Sequence, residues 1–144
     1  MTLIDANLLI YAYNPAAEHH AAARRWLEGI MGSRTPVRLA WITVLAFVRI
    51  MTSAQVFRRP LSIEEAVAIV DDWLAQSNVD VLAAGERHWA LLRGTLVDGQ
   101  AAGPLASDAH LAALAVEHGA TLATTDRDFA RFNGLQTINP LALA

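Results

Sequence analysis

Hydrophobic and polar residues alternate along the chain with two different periods, which predict strands that alternate with helices. Short apolar runs at Thr2–Ile4, Val37–Ala40, Val79–Leu82 and Ala120–Thr124 are typical of buried strands. Between them, apolar side chains recur every three or four residues, which is the spacing of an amphipathic helix. The pattern favours an α/β fold with a mainly parallel sheet covered on both faces. Since no linker interrupts it, we expect a single domain over residues 1–144.

The predicted helices are bounded by residues that commonly begin or end helices. The segments with helical spacing are Leu8–Tyr11, His19–Met31, Trp41–Thr52, Ser62–Leu74, Glu86–Val97 and Asp108–His118. We expect Asn7 to cap the first helix, Ser107 to cap the last and Gly119 to end it. The segment Trp41–Thr52 carries only one charged residue, Arg49, so we expect its helix to be buried on most sides.

The composition narrows the class of protein. Hydrophobic residues make up 54% of the chain and charged residues 17%, which is too apolar for a disordered protein. No apolar run approaches the ~20 residues that span a bilayer, and the N-terminus does not resemble a signal peptide, so we expect a soluble, cytoplasmic protein without membrane contact. The chain has no cysteine, which leaves carboxylates and histidines as ligands for any metal.

The net charge of −3 argues against a protein that coats nucleic acid through a broadly basic surface. It does not exclude a nuclease, because a bound metal ion supplies positive charge that the count omits. The five histidines lack the spacing of a zinc site, and the four tryptophans lie in apolar helical contexts. We therefore expect the tryptophans in the core or at a dimer interface rather than stacked on bases.

Four aspartates occupy positions that can form one site. Asp5 follows the first strand, Asp126 follows the last, and Asp128 lies two residues further on. Because the carboxyl ends of parallel strands meet at one edge of a sheet, side chains there converge. Asp108 lies in the first turn of its helix, three residues before Leu111, so it extends the buried face of that helix. The sequence therefore predicts an acidic cluster.

The chemistry of such a cluster favours a divalent cation. Without one, like charges at ~4 Å in a protein-like medium repel by about 4 kcal/mol per pair. Mg²⁺ or Mn²⁺ would reverse this penalty, could activate a water molecule and could stabilise the departing oxygen of a phosphodiester. Each aspartate alone could instead be a helix cap or turn residue, but Asp5 has a better cap beside it in Asn7. The joint pattern favours phosphodiester hydrolysis.

Three segments around these aspartates resemble the successive acidic motifs of PIN-domain ribonucleases. They are Leu3–Leu9, Ser107–Ala115 and Thr124–Phe129, and the length of the chain resembles that of the VapC toxins in this family. The resemblance implies a PIN-like three-layer α/β/α domain and an endoribonuclease that depends on Mg²⁺ or Mn²⁺. It also implies a homodimer that is neutralised by a VapB-like antitoxin, whose tail enters the acidic site.

The same resemblance implies roles for individual residues. Asp5, Asp108 and Asp126 carry over as the metal-coordinating residues. Asp128 carries over as a further ligand or as a group that supports the ligands. Thr125 carries over as the hydroxyl that orients the cluster.

The chain departs from the family pattern in its second motif. Many relatives have a Glu on the helix that here carries Arg49, whereas residues 44–46 are Val, Leu and Ala and nothing in Trp41–Thr52 is acidic. This leaves room for a one-metal site, or for Asp128 or Glu86 to fill the gap. It also motivates an alternative function, a weakly active or inactive PIN-like module that binds RNA or a protein.

Two further alternatives concern single residues. A phosphohydrolase with Asp5 as nucleophile would generally have a second Asp two residues on, and this chain has Asn7 there. Arg49, a charge on a mostly apolar helix, needs a partner, which could be a structural carboxylate or an RNA phosphate. We take Arg49 as the candidate RNA-binding residue.

Overall fold

The structure, a computed structural model, describes residues 1–142, so the last two residues of the predicted domain lie outside it. Its centre is a parallel five-stranded sheet in the order β3-β2-β1-β4-β5. The strands are β1 (Thr2–Ile4), β2 (Val37–Ala40), β3 (Val79–Leu82), β4 (Thr121–Ala123) and β5 (Thr137–Ile138). The first four match the predicted apolar runs, and β5 was not predicted because it has only two residues, both exposed.

Helices cover both faces of the sheet. They are α1 (Ala6–Tyr13), α2 (His20–Ile30), α3 (Trp41–Met51), α4 (Ile63–Leu74), α5 (His88–Asp98) and α6 (Leu105–His118), with a 3-10 helix at Arg127–Arg131. Successive strand residues point to opposite faces, so Ile4 packs among α1 to α4 while Leu3 packs against α6 and its neighbours. The predicted α/β class and the three-layer α/β/α arrangement are confirmed.

Two predicted helix caps are wrong. Asp5, not Asn7, caps α1, because β1 ends at Ile4 and the extended backbone of Asp5 lets its carboxylate reach the N–H of Ala6. The last helix begins at Leu105 rather than at Asp108, so Ser107 lies inside its first turn. Pro104 precedes it, and the fixed φ angle of proline suits the start of a helix.

Helix α3 is less buried than the sequence predicts. One side packs into the core through Thr43, Val44, Phe47 and Met51. On the other side, Trp41 is 56% exposed, Leu45 is 66% exposed, and Arg49 is also exposed. The packing of α3 against β2, α1 and α4 leaves this side free within residues 1–142. No helix in the same range is long and apolar enough to cross a membrane.

Candidate active site

Asp5 is a buried carboxylate whose orientation is fixed by two hydrogen bonds. It lies where β1 ends and α1 begins. Its Oδ1 accepts a hydrogen bond from the backbone N–H of Ala6 at 2.8 Å, and its Oδ2 accepts one from the hydroxyl of Thr124 at 2.7 Å. Hydrogen bonds to an ionised carboxylate are among the stronger ones in proteins, so both hold the side chain in place.

Thr124 joins two of the predicted site residues. Besides donating to Asp5, its buried hydroxyl accepts a hydrogen bond from the backbone N–H of Asp126 at 3.0 Å. The family resemblance assigns this orienting role to Thr125, whereas in the structure the hydroxyl one residue earlier makes the hydrogen bonds. Neighbouring side chains in an extended segment point to opposite sides, and both hydrogen bonds to the cluster are made by the hydroxyl of Thr124. The correct hydroxyl is the one that directly follows the last residue of β4.

Asp108 approaches Asp5 from a third element of the fold. It lies half-buried in the first turn of α6 and lines, together with Asp5, a pocket of about 100 Å³. The other residues that line this pocket are Ala6, Ile42, Thr43, Ala46, Ser107 and Leu111. We call this space the acidic pocket. Helix α6 therefore brings its aspartate to the edge of the sheet where β1 and β4 end.

Asp126 and Asp128 belong to the turn that follows β4. Asp126 caps the 3-10 helix, because its Oδ1 accepts a hydrogen bond from the backbone N–H of Asp128 at 2.9 Å. Asp126 is half-buried and Asp128 is exposed. Capping does not remove their charge from the site, since both raise the pKa of Asp108. The structure thus brings all four aspartates together.

Opposing influences act on the pKa of Asp5. Burial raises the pKa above its ordinary value, and the negative charge of Asp126 raises it further. The hydrogen bonds from Thr124 and Ala6 lower it, because they stabilise the ionised form. The outcome is a raised pKa, so burial outweighs the two hydrogen bonds.

Asp108 shows the repulsion within the cluster more clearly. Burial raises its pKa to about 6, and the charges of Asp126, Asp5 and Asp128 contribute in the same direction. Arg131 is the cation that opposes this shift. A bound cation would relieve the repulsion that these neighbouring negative charges exert on Asp108.

The donor set fits a hard divalent cation. Asp5, Asp108 and Asp126 offer carboxylate oxygens, which are the ligands that Mg²⁺ and Mn²⁺ prefer. Within residues 1–142, no group of three His, Asp or Glu side chains already converges closely enough to enclose a metal ion. Mg²⁺ commonly keeps several waters and is held directly by one or two carboxylates. An open pocket with a few carboxylates therefore suits Mg²⁺ better than it would suit an ion that requires a full shell of protein ligands.

The α3 side of the acidic pocket carries no carboxylate. It is formed by Ile42, Thr43 and Ala46, so the stretch that lacks the family's Glu does face the site. Glu86, considered as a substitute, is exposed and does not line the pocket. Arg49 is exposed and forms no ion pair with any described residue, so the structural pairing considered for it is not found.

The family follows from this fold and from the motifs that meet at its carboxyl edge. Residues 2–135 match the family model of the PIN domain. The match extends from β1 past the 3-10 helix, so it includes all four aspartates. The chain belongs to the PIN-domain family, and within it to the VapC ribonucleases, as two relatives of known name show.

Both relatives match almost from end to end. The chain is 43% identical over 143 residues to ribonuclease VapC37 of Mycobacterium tuberculosis, with 99% of each chain covered. It is 38% identical over 141 residues to ribonuclease VapC33 of the same species, with 98% of this chain and 99% of the relative covered. The predicted resemblance to VapC proteins is confirmed.

Solved structures agree on the fold. The chain superimposes on VapC20 of Mycobacterium tuberculosis, described as a toxin that cleaves the sarcin-ricin loop, with a TM-score of 0.67, 18% identity and 94% and 99% of the two chains covered. It also superimposes on a chain of VapBC2 from Rickettsia felis, solved bound to a DNA fragment from its promoter, with a TM-score of 0.66, 20% identity and 96% and 97% coverage. At these identities the likeness concerns the fold alone.

Proposed function

We propose that the chain is an endoribonuclease toxin that hydrolyses RNA with the help of Mg²⁺ or Mn²⁺. The observation that supports this most directly is the acidic pocket, which Asp5 and Asp108 line, together with the nearby charge of Asp126, which raises the pKa of both. Keeping uncompensated like charges together is costly, and strongly perturbed carboxylates in a cleft are typical of functional sites. Membership in the VapC ribonucleases supports RNA as the substrate.

The four aspartates and Thr124 each have a defined part in this proposal. Asp5, Asp108 and Asp126 would hold the cation, which when bound supplies an activated water and stabilises the departing oxygen of the phosphodiester. Thr124 is a positioning residue, because one hydroxyl connects the carboxylate of Asp5 to the backbone of Asp126. Asp128, exposed beside the pocket, adds negative charge and can support the ligands from outside.

A VapB-like antitoxin is the proposed regulatory partner. Among the solved structures that share the fold are toxin and antitoxin complexes from Rickettsia felis and Haemophilus influenzae. A pocket lined by carboxylates attracts a cationic side chain, so an antitoxin tail that carries Arg or Lys could neutralise the site by occupying it. An RNA substrate and an antitoxin from the same cell would locate this activity in the cytoplasm.

A homodimer is supported by the surface of α5. None of the residues of this helix is buried, and it exposes Trp89 at 64% and Val97 at 61%. Large apolar side chains close together on a surface commonly mark an interface. Since a two-fold symmetric dimer uses the same patch on both chains, a second copy of this chain is the simplest partner to cover it.

A second candidate function remains because of the α3 side of the pocket. Thr43 and Ala46 line it where many relatives have a carboxylate. A site with one carboxylate fewer holds metal less tightly, so the chain could bind RNA or protein with little cleavage. The two functions differ in whether a folded protein cuts RNA at any metal concentration.

Cleavage of a pool of structured RNAs with Mg²⁺, Mn²⁺ or EDTA separates them. We expect metal-dependent cutting by the wild-type protein and a loss of at least about 100-fold in an Asp5→Asn, Asp108→Asn double variant. Asp71→Asn, which removes an exposed carboxylate from α4, is the matched control and should cut like the wild type. A folded wild-type protein that cuts no RNA with either ion would favour the non-catalytic module.

A further inference from the structure

Helix α3 presents an exposed stripe beside the acidic pocket. Trp41, Leu45 and Arg49 follow one another at intervals of four residues, so they fall within about 80° of the helix circumference. All three are exposed. Ile42 and Ala46, the next residues around the helix, line the acidic pocket. The stripe therefore forms the outer border of the pocket.

An RNA strand needs such a border. The pocket is lined by carboxylates, and the chain as a whole carries a net charge of −3, so phosphates are not attracted to the pocket by the protein alone. Affinity for the strand must then come from surfaces next to the pocket. Proteins that bind single strands combine aromatic side chains, on which bases stack, with cations that pair with phosphates.

The stripe supplies this combination of groups. Trp41 is the first residue of α3 and offers an aromatic face at the carboxyl end of β2. Arg49 lies two turns on, about 12 Å along the helix axis, and no described carboxylate neutralises its guanidinium. Leu45 lies between them as an apolar surface. The length suits a short stretch of strand rather than one nucleotide.

We infer that the stripe Trp41, Leu45 and Arg49 seats a single-stranded segment of the RNA substrate beside the acidic pocket, with a base stacked on Trp41 and a phosphate paired with Arg49. This inference rests on the proposed ribonuclease function. It specifies the substrate as RNA that offers an unpaired segment, because bases within a duplex are not free to stack on a side chain.

Helix α5 carries a similar exposed stripe, but it lies away from the acidic pocket. Trp89, Arg93 and Val97 are also spaced by four residues and exposed, but no residue of α5 lines the acidic pocket. Only the α3 stripe is continuous with the site at which the phosphodiester would be cut. Its position, rather than its composition alone, distinguishes the proposed RNA surface from the proposed dimer surface.

Binding can be measured without cleavage. In the Asp5→Asn, Asp108→Asn background, fluorescence anisotropy would follow a labelled single-stranded RNA of mixed sequence and an RNA duplex of the same length. Two substitutions separate stacking from simple apolar contact, since Trp41→Phe keeps an aromatic face and Trp41→Leu does not. Ile63→Ala, an exposed apolar residue on α4, is the control.

We expect Trp41→Leu to weaken binding of the single strand roughly 10-fold and Trp41→Phe to change it by less than about 3-fold. Arg49→Gln should weaken binding and reduce the slope of log affinity against log salt by about 0.7, the loss of one phosphate contact. The duplex should bind more weakly than the single strand, and Ile63→Ala should bind like its background. Failure of the nuclease proposal would not affect these measurements.

Two results would overturn the inference. One is an affinity for the single strand that neither Trp41→Leu nor Arg49→Gln changes, or an affinity for the single strand that equals the affinity for the duplex. The other comes from sedimentation of the same variants: a change from two chains to one in Trp41→Leu or Arg49→Gln, with Ile63→Ala unchanged, would identify the stripe as a contact between copies of the protein.

Discussion

The acidic pocket and a second, partly buried polar cluster between α5 and α6 differ in how their charged groups are arranged. At the pocket, the charge of Asp126 raises the pKa of both Asp5 and Asp108, and the charge of Asp128 also raises that of Asp108. The second cluster consists of His88, His110 and Glu117, and we call it the histidine–glutamate cluster. The ring nitrogens Nε2 of His88 and Nδ1 of His110 are 2.9 Å apart, and Glu117 accepts a hydrogen bond from the backbone N–H of Gly85 at 2.9 Å.

The difference lies in compensation. The carboxylate of Glu117 lies 3.9 Å from Nδ1 of His88, a group of opposite potential charge, whereas the aspartates of the pocket face one another. Among the buried side-chain nitrogen and oxygen atoms of the described residues, Nδ1 of His88 is the one without a hydrogen-bond partner. Partly buried polar groups are therefore common to both regions, and a concentration of carboxylates distinguishes the functional one. Four predictions test this contrast, from the largest expected effect to the smallest.

The largest effect should come from the hydroxyl that supports the pocket. Thr124→Val removes the hydrogen bonds to Asp5 and Asp126 with little change in shape, so we expect RNA cleavage to fall by about 10- to 100-fold. Thr125→Val is the matched control and should change the rate by no more than about 2-fold. Initial rates at saturating Mg²⁺ measure both. An equal loss in the two variants would show that Thr124 has no special role.

The histidine–glutamate cluster should affect stability rather than cleavage. Glu117→Ala removes the acceptor of the N–H of Gly85, which should lower the free energy of unfolding by about 0.5–1.5 kcal/mol. Glu117→Gln keeps an acceptor oxygen and should lose less. Urea unfolding measures the effect. A fall in the cleavage rate of folded Glu117→Gln would mean that the cluster takes part in function after all.

Removing one repelling charge from the pocket should stabilise the metal-free protein. The pKa of Asp108 is about 6 in the folded state and 3.8 without the fold, so the folded protein binds the proton more tightly. Its contribution to stability is present below pH 3.8 and is lost as the pH rises through 6. In EDTA, Asp108→Asn should therefore be more stable than the wild type at pH 7.5, by less than about 1 kcal/mol because Asp108 is half-exposed.

Thermal unfolding across this pH range measures the difference, and Mg²⁺ should reduce it by stabilising the wild type alone. A variant that is less stable than the wild type in EDTA at pH 7.5 would contradict the repulsion inferred for the pocket.

The smallest effect should come from His110 in the histidine–glutamate cluster. Its contribution to the free energy of unfolding should change with pH in the direction opposite to that of Asp108. Burial and the neighbouring His88 lower the pKa of His110 below its ordinary 6.5. The unfolded chain then binds a proton that the folded one does not, so this contribution to stability is lost as the pH falls below 6.5. In thermal or urea unfolding at several pH values, His110→Gln should reduce the dependence of the free energy of unfolding on pH by a few tenths of a kcal/mol. A slope that steepens in the variant would argue against this sign.

Most of the fold could be predicted from local pattern. The four longer strands match short apolar runs, and Gly119, in a left-handed conformation with φ of 65°, ends α6 as expected. The errors concern residues whose role depends on neighbours distant in the chain. Asp5 caps α1 because β1 ends just before it, and α3 exposes Trp41 because no described element covers that side. The end of β1 is set by its pairing with β4, and the exposure of Trp41 by what packs on α3, so both depend on residues far away in the chain.

The site was predictable in composition but not in detail. The four aspartates could be selected because strand ends and a helix face direct them to one edge of the sheet. Thr124 was missed in favour of Thr125, although alternation along a strand is the signal that separates the two. The histidine–glutamate cluster was not foreseen, since His88 and His110 are separated by 22 positions and meet only through the packing of α5 on α6.

The sequence by itself determined the order of the four longer strands and the six α-helices, the aspartates at the carboxyl edge and the absence of a carboxylate in residues 44–46. These follow from periodicity and residue type, which act over a few neighbouring positions. Only the tertiary structure decided which hydroxyl supports Asp5, that Ala46 faces the acidic pocket and that Trp41 and Arg49 border it. Those relations depend on the packing of separate elements around one sheet, where a single residue of shift sends a side chain to the opposite face.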